Sequence, residues 1–145
     1  MGLFKSKEER AAEREKREEE NRLLAQRVKD SPMTKSLQMF LLDQFGDTNS
    51  EEVEKLRELS RSGSRAGYIM QVRYDGVLFN LINRKGESLS KWAISFDSLG
   101  YENLPSAGVN ALQGALLETL SSIPHLMVSD TGFFMYNQNR AKQEW

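Results

Sequence analysis

The fold of this chain is decided by residues 68–96, "YIMQVRYDGVLFNLINRKGESLSKWAISF". Apolar and polar side chains alternate along three parts of this stretch, which is the pattern of strands with one buried face. Asp75-Gly76 separates the first two parts and is a strong hairpin signal. Gly86 supplies a residue that tolerates positive φ in the second turn. The stretch therefore predicts a three-stranded antiparallel meander.

A helix and a second hairpin are predicted after the meander. Residues 107–123 show helical spacing of apolar side chains, and Pro124 ends that pattern. Two short apolar runs then flank residues 129–132, which have turn composition. Together with the helices predicted before the meander, this order indicates an α+β fold, in which N-terminal helices precede an antiparallel β-β-β-α-β-β two-layer domain.

Two helices are predicted immediately before the meander. The first begins with Ser31 as its cap and Pro32 at its first position, and it ends at Gly46. The second begins after Ser50 and ends near Gly63. A turn between them makes a helical hairpin, and a small, polar and basic linker leads into the sheet.

The N-terminal segment is nearly devoid of apolar residues. In residues 8–29, "EERAAEREKREEENRLLAQRVK", sixteen of twenty-two residues are charged or are Asn or Gln. The segment contains good helix formers and neither Gly nor Pro, so it predicts a helix. Two interpretations remain open, namely a solvated helix that leads into the fold and a docking helix that becomes ordered on a partner.

These patterns divide the chain into four parts. Residues 1–30 are predicted as a charged, solvent-exposed helical arm, and residues 31–66 as a helical hairpin with its linker. Residues 67–136 are predicted as the sheet and helix domain, and residues 137–145 as a polar tail. The opening "MGLFKS" formally matches a myristoylation pattern, and the sequence leaves open whether it is lipidated.

Composition narrows the classes of function. The 145 residues include no Cys, which excludes disulfides, thiolate metal sites and thiol nucleophiles. The net charge is −1 and no segment is strongly basic, which disfavours nucleic-acid binding. No apolar run is long enough for a membrane helix, and we expect a cytoplasmic protein.

No catalytic motif is present in the sequence. His125 is the single histidine, and its place after Pro124 at a helix end favours a capping role or simple exposure. Asp75 and Asp130 fall in predicted turns, where their residue type is ordinary. We therefore expect a protein that is not an enzyme and that uses no cofactor or metal.

The best-supported function is protein interaction, with an adaptor-like or chaperone-like role. The strands carry apolar residues on both faces, for example Met70 on one and Leu78 on the other, so something must cover the second face. A helix over residues 33–45 or a second subunit would do so, and we expect a homodimer. The predicted partner-binding residues are Leu23, Leu24, Val28, Met39, Leu42, Phe45 and Trp145.

Two other functions stay open. One is nucleic-acid binding through the basic residues of the arm, the linker and the first strand. The other is a small-ligand site or an enzyme active site between sheet and helices. The residues for nucleic-acid binding would be Arg10, Arg14, Arg17, Arg22, Arg61, Arg65 and Arg73.

Overall fold

Five antiparallel strands form the sheet of this protein. The computed structural model describes residues 6–63 and 65–138. The strands lie in the order β3-β2-β1-β5-β4, so β1 is central and the C-terminal hairpin pairs with it through Tyr68 and Phe134. They are β1 (Gly67–Arg73), β2 (Gly76–Ile82), β3 (Ser88–Ser95), β4 (Leu126–Val128) and β5 (Phe133–Tyr136).

The predicted meander is confirmed, but its first turn differs in detail. The loop residues are Tyr74 and Asp75, and Gly76 is already the first residue of β2, opposite Arg73. Gly76 has no positive φ, whereas Gly86 in the second turn has φ of 82°. Gly76 is required for space, because a Cβ there would lie 2.4 Å from the carbonyl oxygen of Ile94 on β3.

Four α-helices occur in the described residues, and three of them precede the sheet. Capping follows the sequence: Ser31 Oγ accepts a hydrogen bond from Thr34 N at 3.2 Å, and Ser50 Oγ accepts one from Val53 N at the same distance. Such caps satisfy amide groups that a helix leaves without partners at its start. The helices are α1 (Lys7–Asp30), α2 (Pro32–Leu41), α3 (Glu51–Ser62) and α4 (Ser106–Ser121).

Helices α2, α3 and α4 pack on one face of the sheet, which we call the inner face, and the end of α1 packs on α4. Tyr68, Met70 and Phe79 point into it and are buried, and one hydrophobic cluster joins them to residues of all four helices. This confirms the predicted α+β two-layer architecture. The division of the chain into an arm, a hairpin, a sheet domain and a tail stays a prediction.

A π-helical turn at Leu42–Gly46 extends α2. Its i→i+5 bonding widens the turn and places Phe45 in line with Leu41, over the sheet. Phe45 is completely buried, and its ring packs edge-to-face on Tyr68 and Phe134. The helix over residues 33–45 therefore covers the inner face beside α4, and it does not cover the opposite, outer face.

Candidate interaction surfaces

The outer face of the sheet has no helix over it in the described part of the chain. Ile69 on β1 lies opposite Phe133 on β5, and Met135, further along β5, lies opposite Met127 on β4. Ile69 and Met127 are exposed, and Phe133 and Met135 are half-buried. We call these four residues the outer patch. Contiguous exposed apolar groups on a protein surface often mark interaction sites.

The charged residues within the strands of the sheet have one sign. None of the five strands contains Asp or Glu. Arg73 and Lys91 alternate with the inward-pointing residues of β1 and β3, so both point outward and both are exposed. A partner with apolar side chains flanked by carboxylates would complement this face.

A cavity of about 410 Å³ adjoins the outer patch. It is lined by Met127 and Met135 and by residues 60–63 at the end of α3, among others. Gln138 Nε2 donates a hydrogen bond to the Ser60 carbonyl at 2.6 Å across this region. Methionine side chains are flexible and polarizable, so the wall they form can adapt to an apolar side chain of a partner.

A buried polar cluster ties α3 to the sheet. The Tyr68 hydroxyl donates a hydrogen bond to Glu52, and the Trp92 indole N–H donates to the Tyr68 oxygen at 3.3 Å. Burial, followed by the hydrogen bond to Glu52, raises the pKa of Tyr68 well above its ordinary value of 10.0. Lys55 Nζ lies 3.2 Å from Glu52 Oε1. A neutral tyrosine held this way anchors two elements to each other.

His125 is buried between the helical layer and the C-terminal hairpin. Its Nε2 donates a hydrogen bond to the Phe45 carbonyl at 2.6 Å. This bond satisfies a carbonyl group of the π turn that would otherwise be buried without a partner. The expectation of exposure for His125 is therefore wrong, and the carbonyl that its ring caps belongs to the end of the π turn and not to α4, the helix that precedes it in the chain.

The residues predicted to bind a partner do not form one surface. Leu23 and Met39 are 53% and 63% exposed, and Leu42 is also exposed. Leu24 is partly buried, and Val28 and Phe45 belong to the hydrophobic cluster. Val28 and Phe45 are thus core residues because their helices pack on α4 and on the sheet. Trp145 lies outside the described residues.

The arginines of the nucleic-acid alternative are exposed but are not gathered into one patch. Arg10, Arg14, Arg17 and Arg22 lie on α1, Arg61 lies in the last turn of α3 and Arg65 lies in the linker. Arg73 lies at the far end of β1, about 20 Å along the strand from Gly67.

The sequence analysis expected an apolar second face of the sheet, but it did not identify the four residues of the outer patch. Apolar residues occupy outward positions of β1, β4 and β5, where a strand with one solvated face normally has polar residues. The strand order was needed to see that Ile69, Phe133, Met135 and Met127 are neighbours.

Two further properties concern metals and membranes. Within residues 6–63 and 65–138, no group of three or more His, Asp or Glu side chains could hold a metal ion. None of the helices described is both long and apolar enough to cross a membrane.

Comparison of the chain with protein families, with curated proteins and with solved structures finds no match.

Proposed function

We propose that this chain is a non-enzymatic protein-interaction protein that binds an apolar, acidic segment of a partner protein on its outer sheet face. The observation that carries the proposal is the outer patch. Ile69, Met127, Phe133 and Met135 form a contiguous apolar surface that no described helix covers.

Charge supports the choice of partner. Arg73 and Lys91 point to the same face as the outer patch, and the strands contribute no carboxylate that would offset them. An acidic segment would gain from these cations, whereas a second copy of this face would bring cations toward cations. The predicted homodimer is therefore the alternative occupant, and the same experiment identifies it.

The use of the polar groups supports a role without catalysis. His125 is committed to the Phe45 carbonyl, and the Tyr68 hydroxyl is committed to Glu52. Both hydrogen bonds join separate elements of the fold, so a structural role accounts for the burial of these groups.

Site-specific photo-cross-linking tests the proposal. A benzophenone amino acid at Met127 lies within the outer patch, and the same group at Leu99, an exposed residue of the short helix after β3, is the matched control. In cells that make the protein, we expect position 127 to cross-link one protein through an apolar segment rich in Asp and Glu. Position 99 should not cross-link that protein.

Three outcomes would contradict the proposal. A cross-link from position 127 to the outer face of a second copy would show a homodimer instead. A cross-link to RNA or DNA would favour the nucleic-acid alternative. Equal labelling of the same proteins from positions 127 and 99 would show that the patch is not a specific surface.

A further inference from the structure

The β3 edge of the sheet presents backbone groups to the side away from β2. In the described part of the chain, no strand pairs with β3 on that side. The amide of Phe96, just after β3, donates a hydrogen bond at 2.9 Å to the residue before β2, which fixes the alternation of backbone groups along β3. The N–H and C=O groups of Trp92 and Ile94 therefore point to β2, and those of Lys91 and Ala93 point to the free side.

The middle of β3 is the part of this edge that suits a further strand. A bulge interrupts the pairing with β2 near the start of β3. At the other end, Ser98 Oγ donates a hydrogen bond to the Ser95 carbonyl at 2.6 Å. Lys91 and Ala93 lie between these ends, and both are exposed. The free backbone groups are thus placed symmetrically about Trp92.

Trp92 is held in a fixed position at the same edge. Its ring stacks on Phe79 with the centroids 4.2 Å apart, and it packs edge-on against Phe40. Its indole N–H donates to the Tyr68 oxygen at 3.3 Å. These contacts leave Trp92 half-buried, so a strand added beside β3 would cover more of its surface.

We propose that β3 pairs antiparallel with β3 of a second copy of this chain, about a two-fold axis at Trp92. In this register Lys91 lies opposite Ala93 of the other copy, so every free N–H of these residues meets a free C=O. Trp92 lies opposite Trp92 of the other copy, and aromatic side chains directly opposite each other stabilise an antiparallel pair. The symmetric placement of the free groups favours a second copy over an unrelated strand.

The charge of Lys91 selects this register among its neighbours. A two-fold axis at Lys91 would place two lysines directly opposite each other, which destabilises a strand pair. With the axis at Trp92 the lysines are diagonal neighbours about 7–8 Å apart. Salt screens the repulsion that remains, so salt should strengthen this dimer. An acidic strand from another protein would instead be attracted by Lys91 and would bind more weakly as salt rises.

The dimer would leave both outer patches accessible. A two-fold axis between antiparallel edge strands is perpendicular to the sheet, so the helices of both copies lie on one side and the outer patches lie on the other. Five strand spacings separate the two β1 strands, which is about 24 Å. A partner with two acidic, apolar segments would bind both copies at once and gain avidity. Only this gain in avidity rests on the proposed function.

Sedimentation equilibrium of the full chain tests the dimer. We expect the wild type to reach twice 16.6 kDa at concentrations up to about 1 mM, because a contact along one strand is a small interface. Ala93→Pro should weaken association about ten-fold or more, since proline removes an N–H that the second strand needs. Ala93→Thr keeps that N–H and is the matched control, which should associate like the wild type. Circular dichroism should show both variants folded, because this N–H points away from β2.

A second variant tests the part that charge plays. Lys91→Gln removes the repulsion between the two lysines, so we expect it to tighten the dimer about two-fold and to reduce its salt dependence. Weaker association of Lys91→Gln would contradict the proposed register.

Disulfide formation tests the register directly, because the chain has no native cysteine. Chains with Lys91→Cys and chains with Ala93→Cys are mixed and oxidised, and mass spectrometry identifies the products. Residues directly opposite each other have Cα atoms about 5.5 Å apart, which suits a disulfide, whereas diagonal neighbours are too distant. The mixed disulfide should therefore exceed each of the two identical pairs about five-fold or more.

A monomer at every concentration, a dimer that Ala93→Pro leaves intact, or equal yields of the three disulfides would each overturn the inference. A dimer that Met127→Lys dissociates would place the contact on the outer face and would overturn it as well. None of these results decides whether position 127 cross-links another protein. Failure of the β3 dimer is therefore distinguishable from failure of the proposed function.

Discussion

At the scale of single residues, Gly76 and Gly114 contribute differently to the stability of the fold. Gly76 begins β2, where its lack of a side chain lets β3 approach. Gly114 lies on the exposed side of α4, with open space where a Cβ would be. We expect Gly76→Ala to lower the free energy of unfolding by about 1–3 kcal/mol because the sheet must shift. Gly114→Ala should raise it by about 0.5–1 kcal/mol.

Urea denaturation measures both glycine variants. Each variant is the control for the other, because the chemical change is the same and only the surroundings differ. A stability of Gly76→Ala at or above that of the wild type would contradict the close approach of β2 and β3.

The raised pKa of Tyr68 predicts how the stability of the fold depends on pH. Its pKa is higher in the folded state than the ordinary value of 10.0, so the unfolded state loses the proton first as pH rises. The stabilisation is therefore fully present below pH 10 and declines above it. Tyr68→Phe leaves Glu52 and the Trp92 indole without this hydroxyl, which should cost about 1–3 kcal/mol at neutral pH.

The free energy of unfolding of the wild type and of Tyr68→Phe, measured from pH 8 to pH 11, checks the Tyr68 prediction. Other titrating groups are the same in the two proteins, so their effect cancels in the difference between the two free energies. That difference should shrink as pH rises above 10. A difference that stays constant would show that the hydroxyl ionises as readily in the folded protein as in the unfolded one, and a difference that grows would show that it ionises more readily in the folded protein.

At the scale of elements, α1 divides into an exposed part and a packed part. Removing residues 1–22 deletes side chains that are exposed throughout the described stretch from Ser6 to Arg22. We expect the thermal midpoint to change by about 2 °C or less, since surface residues contribute little to stability. Val28→Asp should lower the midpoint strongly, because it places a carboxylate in the core.

Differential scanning calorimetry compares the truncated chain, Val28→Asp and the wild type. A large fall in the midpoint on truncation would mean that the exposed part of α1 stabilises the body.

The elements differ in how far the sequence predicts them. Capping residues such as Ser31 and Ser50 are local signals, so the helix starts follow from the sequence. The π turn and the position of Phe45 do not, because they depend on the sheet against which that ring packs. His125 is a similar case, since its partner is a carbonyl eighty residues away.

At the scale of the whole molecule, the same substitution should affect stability differently on the two faces of the sheet. Leu126 and Met127 are neighbours on β4, but Leu126 points to the inner face and Met127 to the outer face. We expect Leu126→Lys to cost about 3 kcal/mol or more, because it buries a charge, and Met127→Lys to change stability by about 0.5 kcal/mol or less. Chemical denaturation measures both variants.

Equal costs at positions 126 and 127 would mean that the outer face is covered in solution. Sedimentation equilibrium would then show whether a second copy of the chain covers the outer face. A mass of twice 16.6 kDa for the wild type, reduced to a single mass by Met127→Lys, would establish the predicted homodimer.

The sequence by itself determined the starts of α2 and α3, the meander, the α+β class and the exposed charged helix. These follow from neighbouring residues, namely periodicity, capping and turn composition, which act over a few positions of the chain. Only the tertiary structure decided that the described helices lie on the same side of the sheet, that Phe45 and Val28 are core, and that four apolar side chains from three strands meet on the other face. Those facts depend on contacts between residues far apart in the chain, and local patterns carry no information on which distant surfaces will pack.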